Sequence, residues 1–135
     1  KYMMKQLSVF AENKKGAINE VTRVLADAGI NLYALLTNDS SDFAIVRMIV
    51  SDADQAEKIL KDHYLTHMDS VLAVQVSNEV GSLNRLLEDV KACNINIDYL
   101  YTTFGWDTPQ PIMMIHCEEE EELEISLKNK GYDLI

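Results

Sequence analysis

Basic residues are scarce in this chain. Only 12 Lys and Arg stand against 22 Asp and Glu, a formal net charge of −10. That balance excludes nucleic acid as an expected partner, because binding phosphates needs clustered cations. Cysteine is almost missing. Cys93 and Cys117 stand alone, without CxxC spacing or a nearby His pair, so nothing indicates an oxidising compartment or a metal site. No apolar run approaches the ~20 residues of a membrane span, and Lys1 to Lys5 has no signal-peptide character. A cytoplasmic protein without membrane contact is expected. Ser-His-Asp, Cys-His and P-loop constellations are absent as well. The sequence therefore predicts no catalytic residue, no metal ligand and no cofactor, and the chain is not read as an enzyme.

What is present is ordinary globular composition, 47% hydrophobic and 25% charged. The charge is uneven. Residues 1–65 carry eight basic and nine acidic side chains, and residues 66–135 carry four and 13. The strongest internal signal is repetition. Asn13-Lys14-Lys15-Gly16 recurs as Asn78-Glu79-Val80-Gly81, 65 positions later. At that spacing Leu7 matches Leu72, Val9 matches Val74, Asn19 matches Asn84, Asn31 matches Asn96 and Thr37 matches Thr102. Two small units are expected, not one domain. Each holds roughly 65 residues, near the size where one core is only marginally stable, so mutual packing is expected.

In the first copy, Gln6 to Ala11 predicts a strand, and Ile18, Val21, Val24, Leu25 and Ala28 recur at helical spacing up to Gly29. Ile30 to Thr37 and Phe43 to Val50 predict strands. Ser51 or Asp52 can cap a second helix, and Tyr64 to Met68 would be a fourth strand. The second copy repeats the order with strands at Val71 to Val76, Ile95 to Thr103, Ile112 to Cys117 and Tyr132 to Ile135. Its helices are lined by Leu83, Leu86, Leu87, Val90 and Cys93, and run over Glu119 to Asn129. The fold class is α+β: two tandem ferredoxin-like βαββαβ units over residues 5–68 and 71–135, antiparallel sheets with helices on one face. Alternation in the third strand is poor. Ile45 and Ile49 lie on one face and Val46, Met48 and Val50 on the other, so both faces are expected to be covered, by a neighbouring unit or another subunit. A homodimer or larger assembly is the consequence.

A tandem βαββαβ unit with Asn-x-x-Gly at its first turn, and Gly29-Ile30-Asn31 or Asn94-Ile95-Asn96 opening the next strand, resembles the ACT domain. Val21 to Asn31 fits that family's first helix and following strand. The resemblance covers nearly the whole chain and implies a regulatory module that binds an amino acid and acts on a separate enzyme or transport protein. The alternative is a non-sensing accessory subunit that docks a partner enzyme through its sheets. Carried over by position, the ligand-binding candidates are Asn13, Lys15, Gly16, Ala17, Ile18, Asn31, Leu32 and Asp42 in the first copy. In the second they are Asn78, Gly81, Ser82, Leu83, Asn96 and Ile97. Physical reasoning points the same way: helix-mouth amides at Gly16, Ala17 and Ile18, or Gly81, Ser82 and Leu83, attract a carboxylate. An Asn amide offers both donor and acceptor to a zwitterion.

The family's usual Pro before the Gly is replaced by Lys15 and Val80, and the His found in some sensing members by Ala11 and Val76. Lys14-Lys15 favours an anion where Glu79-Val80 does not, so the first turn is expected to be the better carboxylate receptor. Blander readings stand beside these. Asn and Gly satisfy bends without any ligand. Asn31 and Asn96 can simply start a strand. Glu118 to Glu122 reads as a solvated first turn favourable to the helix dipole, Cys93 as a small core residue, and Trp106 as a hydrophobic plug or a cover over the ligand.

Overall fold

A computed structural model describes residues 3–39, 42–104 and 109–135. Ser40 and Ser41 of the expected loop, and Trp106 with Gly105, Asp107 and Thr108, lie outside the described residues. The chain divides into two compact units. The first is Lys5–Asp69; the second is Ser70–Ile135, with Met3 and Met4 assigned to it as well. The elements are β1 (Met3–Glu12), α1 (Ala17–Asp27), β2 (Leu32–Asp39), β3 (Phe43–Val50), α2 (Ala53–Leu60) and β4 (Leu65–Gln75), then α3 (Ser82–Ala92), β5 (Tyr99–Thr103), β6 (Ile112–His116), α4 (Glu120–Asn129) and β7 (Asp133–Leu134). The boundary between the units falls inside β4, so the strands expected at Tyr64 to Met68 and Val71 to Val76 are one element. Among the described residues no helix is long and apolar enough to cross a membrane.

The first unit's strand order is β2-β3-β1-β4, and in the second β5-β6-β4 is followed by β7 on the other side of β4. In each, the alternation of strand side chains decides the core. Leu7 pairs with Met48 and Val9 with Val46 across β1 and β3. These side chains pack with Val21 and Leu25 of α1 and Ala56 and Leu60 of α2, so both helices lie on one face. The second unit repeats this: Leu72 with Ile115 and Val74 with Met113 across β4 and β6, packed under Leu86, Val90, Leu123 and Leu127. The opposite face is buried too. Gln6, Ser8, Ala34 and Ile49 are buried in the first unit, as are Ala73, Ile112 and Met114 in the second. The poor alternation of β3 reflects that double burial.

Local chemistry explains the helix ends. The α1 C-terminus closes as a Schellman motif, with Ile30 N–H donating to Leu25 O (3.0 Å) and Gly29 N–H to Ala26 O (3.0 Å). Gly29 has φ 73°, and Asn94 takes the same left-handed conformation at the matching place after α3 (φ 58°). The side chain of Asp52 caps α2, accepting from the Gln55 N–H at 3.1 Å. Asp52→Ala should lower stability by about 1 kcal/mol, read by urea unfolding; a change below a few tenths would show that water replaces the cap.

Two expectations are corrected. The strand predicted from Ile95 begins only at Tyr99. Ile95 is buried and Ile97 packs against the core without ladder pairing, so apolarity there marks burial, not a strand. The Glu118 to Glu122 run is not wholly a solvated turn. Glu120 is only 9% exposed and accepts a hydrogen bond from Ser70 Oγ at 2.6 Å.

Candidate functional site

Both Asn-x-x-Gly turns form the same backbone device. β1 ends at Glu12, the Lys14 N–H bonds back to Glu12 O (2.9 Å), and Gly16 sits at φ 83°, ψ −2° as the N-cap of α1. The first intrahelical bond is Glu20 N–H to Gly16 O at 3.0 Å. In the second unit Gly81 has φ 87°, ψ −2°, and the ladder begins with Arg85 N–H to Gly81 O at 2.9 Å. A left-handed residue is needed at both points to turn the strand into the helix, which is why glycine recurs there.

The expected set of open amides changes in detail. Ala17 N–H donates to Lys14 O (3.2 Å) and Ser82 N–H to Glu79 O (3.2 Å). These two amides close the turn and are not open to a ligand. The amides of Ile18 and Asn19, and of Leu83 and Asn84, precede the first i→i−4 bond, where helix geometry supplies no partner. Those are the donors a ligand could meet.

The remaining candidates separate into two groups. Asp42 is adjacent to the first turn, because its neighbour Phe43 pairs with Glu12 across β1 and β3. Asn13 and Lys15 are exposed on the turn itself. Asn31 and Leu32 lie at the other end of α1, an 11-residue helix and therefore about 16 Å long. Asn31 is a joint: its N–H donates to Ser51 Oγ (2.9 Å), its Oδ1 accepts from Leu32 N–H (3.0 Å), and its carbonyl accepts from Ser51 N–H (2.9 Å). Leu32 packs against the core. Asn96 and Ile97 occupy the same far end of α3, beside a hollow of about 430 Å³ shared with Leu87, Val90 and Lys91. Within one unit, then, the turn and the second Asn do not meet.

The second turn borders a cleft of about 370 Å³ lined by Ser77, Ser82, Arg85, Gln110, Tyr132 and Asp133, among others. Gln110 Oε1 accepts the Asn78 N–H at 2.9 Å, and Val76 N–H donates to Pro111 O at 3.0 Å. Gln110 and Pro111, just before β6, are thus tied to the second turn and the end of the strand leading to it. Ser77 and Ser82 hydroxyls lie 2.5 Å apart, and Arg85 Nη2 donates to Ser82 Oγ at 3.3 Å. Tyr132 donates its hydroxyl to Asp89 (2.5 Å); burial, then that bond, pushes its pKa up to about 12. It serves as a neutral wall.

Sequence reasoning named Ser82 but missed Ser77, Arg85, Gln110 and Tyr132. One signal was available: Arg85 occupies the repeat position of Glu20, a charge reversal inside matched helices. Glu20 is held by Arg23, which also pairs with Asp27 (2.6 Å), and that guanidinium keeps the Glu20 carboxyl below its usual range. At the first turn, Lys14 Nζ lies 3.3 Å from Glu12.

His116 and the two cysteines have partners within the fold. His116 stacks on Tyr99 (centroids 4.8 Å apart) and bonds Asp98 through Nδ1 at 3.0 Å. The Cys93 thiol donates to Asp89 O at 3.2 Å. Burial, and then the charge of Glu120, pushes the Cys117 thiol up to about 11, so it is not a ready nucleophile.

The family described as an ACT domain pair matches residues 2–132. Among solved structures, protein BT0572 from Bacteroides thetaiotaomicron aligns with a TM-score of 0.91 at 37% identity, over 99% of this chain and 92% of that one. The regulatory subunit of aspartate kinase from Thermus thermophilus, in a ligand-free form, shares the fold with a TM-score of 0.66 at 15% identity, over 94% of this chain and 92% of that one. Its counterpart from Thermus flavus gives 0.64 and 15%, over 93% and 90%. No curated protein sequence matches the chain.

Proposed function

The chain belongs to the ACT domain family, and from that premise we propose that it is an amino-acid-binding regulatory protein whose two ACT units, over 5–68 and 71–135, act on a separate enzyme or transport partner. One observation carries the reading. Twice, a left-handed glycine opens a helix whose leading amides precede the intrahelical ladder. A donor-rich helix mouth of that kind suits a carboxylate. Asn13, Lys15, Gly16, Ile18 and Asp42 flank one mouth; Asn78, Gly81, Ser82 and Leu83 flank the other. Asn31 and Asn96 sit at the far ends of their helices, so they join a mouth only from a neighbouring unit, and a homodimer is part of the proposal. Binding becomes regulation when the ligand favours one arrangement over another, since only differential affinity shifts an equilibrium.

An accessory docking subunit is the second reading. Tyr33 and Leu35, on the edge strand β2, are 43% and 42% exposed and would suit a protein partner. A thermal-shift screen of the twenty amino acids, each at millimolar concentration, separates the two. Sensing predicts that one or a few raise the Tm by about 5 °C or more once the site is saturated. Silence across all twenty, with Asn13→Ala and Asn78→Ala also without effect, would leave docking as the function.

A further inference from the structure

We propose that the cleft of the second unit is a zwitterion site, in which Arg85 takes the carboxylate and Asp133 the ammonium group of a small polar amino acid. The proposal rests on the sensing reading and narrows it to one unit, one pair of charges and one ligand class.

Arg85 is the starting point. Residues 66–135 hold four basic against 13 acidic side chains, so a cation there has many acids to choose from. Lys130 lies 3.9 Å from Asp89. Among the described residues, the Arg85 guanidinium instead meets a hydroxyl, Ser82 Oγ, and no carboxylate. Its counterpart in the first unit is the acid Glu20, locked by Arg23. The matched helices therefore present opposite charge at the same place, and only the second presents a cation without an acid. A planar guanidinium with several N–H donors is suited to a carboxylate.

The surroundings fit the same guest. Arg85 and Asp133 line one cleft, placing a cationic and an anionic group around a common space. Asp133 pairs with no cation among the described residues. Ser82 is only 7% exposed, and its hydroxyl, with that of Ser77, adds polar groups to the wall. The leading amides of α3 are at this end, where the helix dipole is positive. The volume, about 370 Å³, lies at the small end of metabolite sites, roughly 300–1,000 Å³. Among the described residues, Val76 is the single aliphatic residue in a lining otherwise made of Gly, Tyr and polar side chains, and that lining favours a polar side chain over a branched or aromatic one. Charge in the turns alone favours the first unit; the placement of Glu12 beside Lys14 and of Arg85 beside the cleft favours the second.

The test uses the full chain and isothermal titration with each of the twenty amino acids. The expected result is one bound molecule per chain, with a polar amino acid such as serine, threonine, asparagine or glutamine as the best ligand. Arg85→Gln and Asp133→Asn should each weaken it about 10- to 100-fold. Arg85→Lys should recover part of the loss, and Arg23→Gln in the matched helix should leave affinity unchanged. Unliganded Tm values equal to wild type show that the variants are folded. Wild-type binding that survives Arg85→Gln undiminished, a preference for leucine or phenylalanine, or two equal sites per chain overturns this proposal and leaves sensing intact. Absence of any binding to wild type overturns both.

Discussion

Leu72→Ala should lower the unfolding free energy by about 2–5 kcal/mol, and Leu7→Ala should do the same in the other unit. Both side chains are fully buried, and each projects from a central strand into the contact between sheet and helices. Truncation removes the transfer energy of the lost methyl groups and leaves a cavity that close-packed neighbours fill only partly. The two positions match in the repeat, so similar costs are expected; urea unfolding followed by circular dichroism measures them. A loss under about 1 kcal/mol at either site would mean that its unit relaxes around the void and that the stated core does not hold it together. Ser8 and Ala73, one residue further along the same strands, face the other way and are not expected to behave as their neighbours do.

Gly16→Val and Gly81→Val should each cost about 1–3 kcal/mol, because a β-branched residue is strained at positive φ, and Gly81→Val should also abolish whatever ligand response the wild type shows. Space is not the reason. A Cβ at Gly16 would meet nothing within 4 Å, and one at Gly81 would meet Arg85 Nη1 at an ordinary 3.5 Å. The cost is conformational, which makes the prediction sharp: Asn, tolerant of left-handed geometry, should restore most of the stability at both places. Asn94 already holds that geometry after α3. If the Asn variants were as unstable as the Val variants, crowding or lost turn bonds would have to replace backbone strain as the explanation.

The difference between what was legible and what was not follows from the range of the interactions. The helices α1 and α3 could be read from their apolar spacing, and their glycine mouths from the repeated turn. The start of β5 could not, because Ile95 and Ile97 are apolar for the sake of the core and give no sign of whether a partner strand lies alongside. The acidic run before α4 looked uniform in sequence. Burial of Glu120 depends on Ser70, 50 positions earlier, supplying a hydroxyl. The turn amides offer the same lesson at shorter range. Ala17 and Ser82 were natural candidates for open donors until the turn geometry brought the Lys14 and Glu79 carbonyls within reach.

Duplication, element order and the helix-facing half of each core were settled by the sequence alone, since periodicity, turn residues and capping act over a few neighbouring positions. Tertiary structure decided which helix-mouth amides stay open, that the turn and the second Asn lie at opposite ends of a helix, and that Arg85 and Asp133 share one cleft. The physical reason is that a cavity wall or a hydrogen-bond acceptor can come from anywhere in the chain. Gln110 holds the Asn78 amide from 32 positions away, and no local pattern records that meeting.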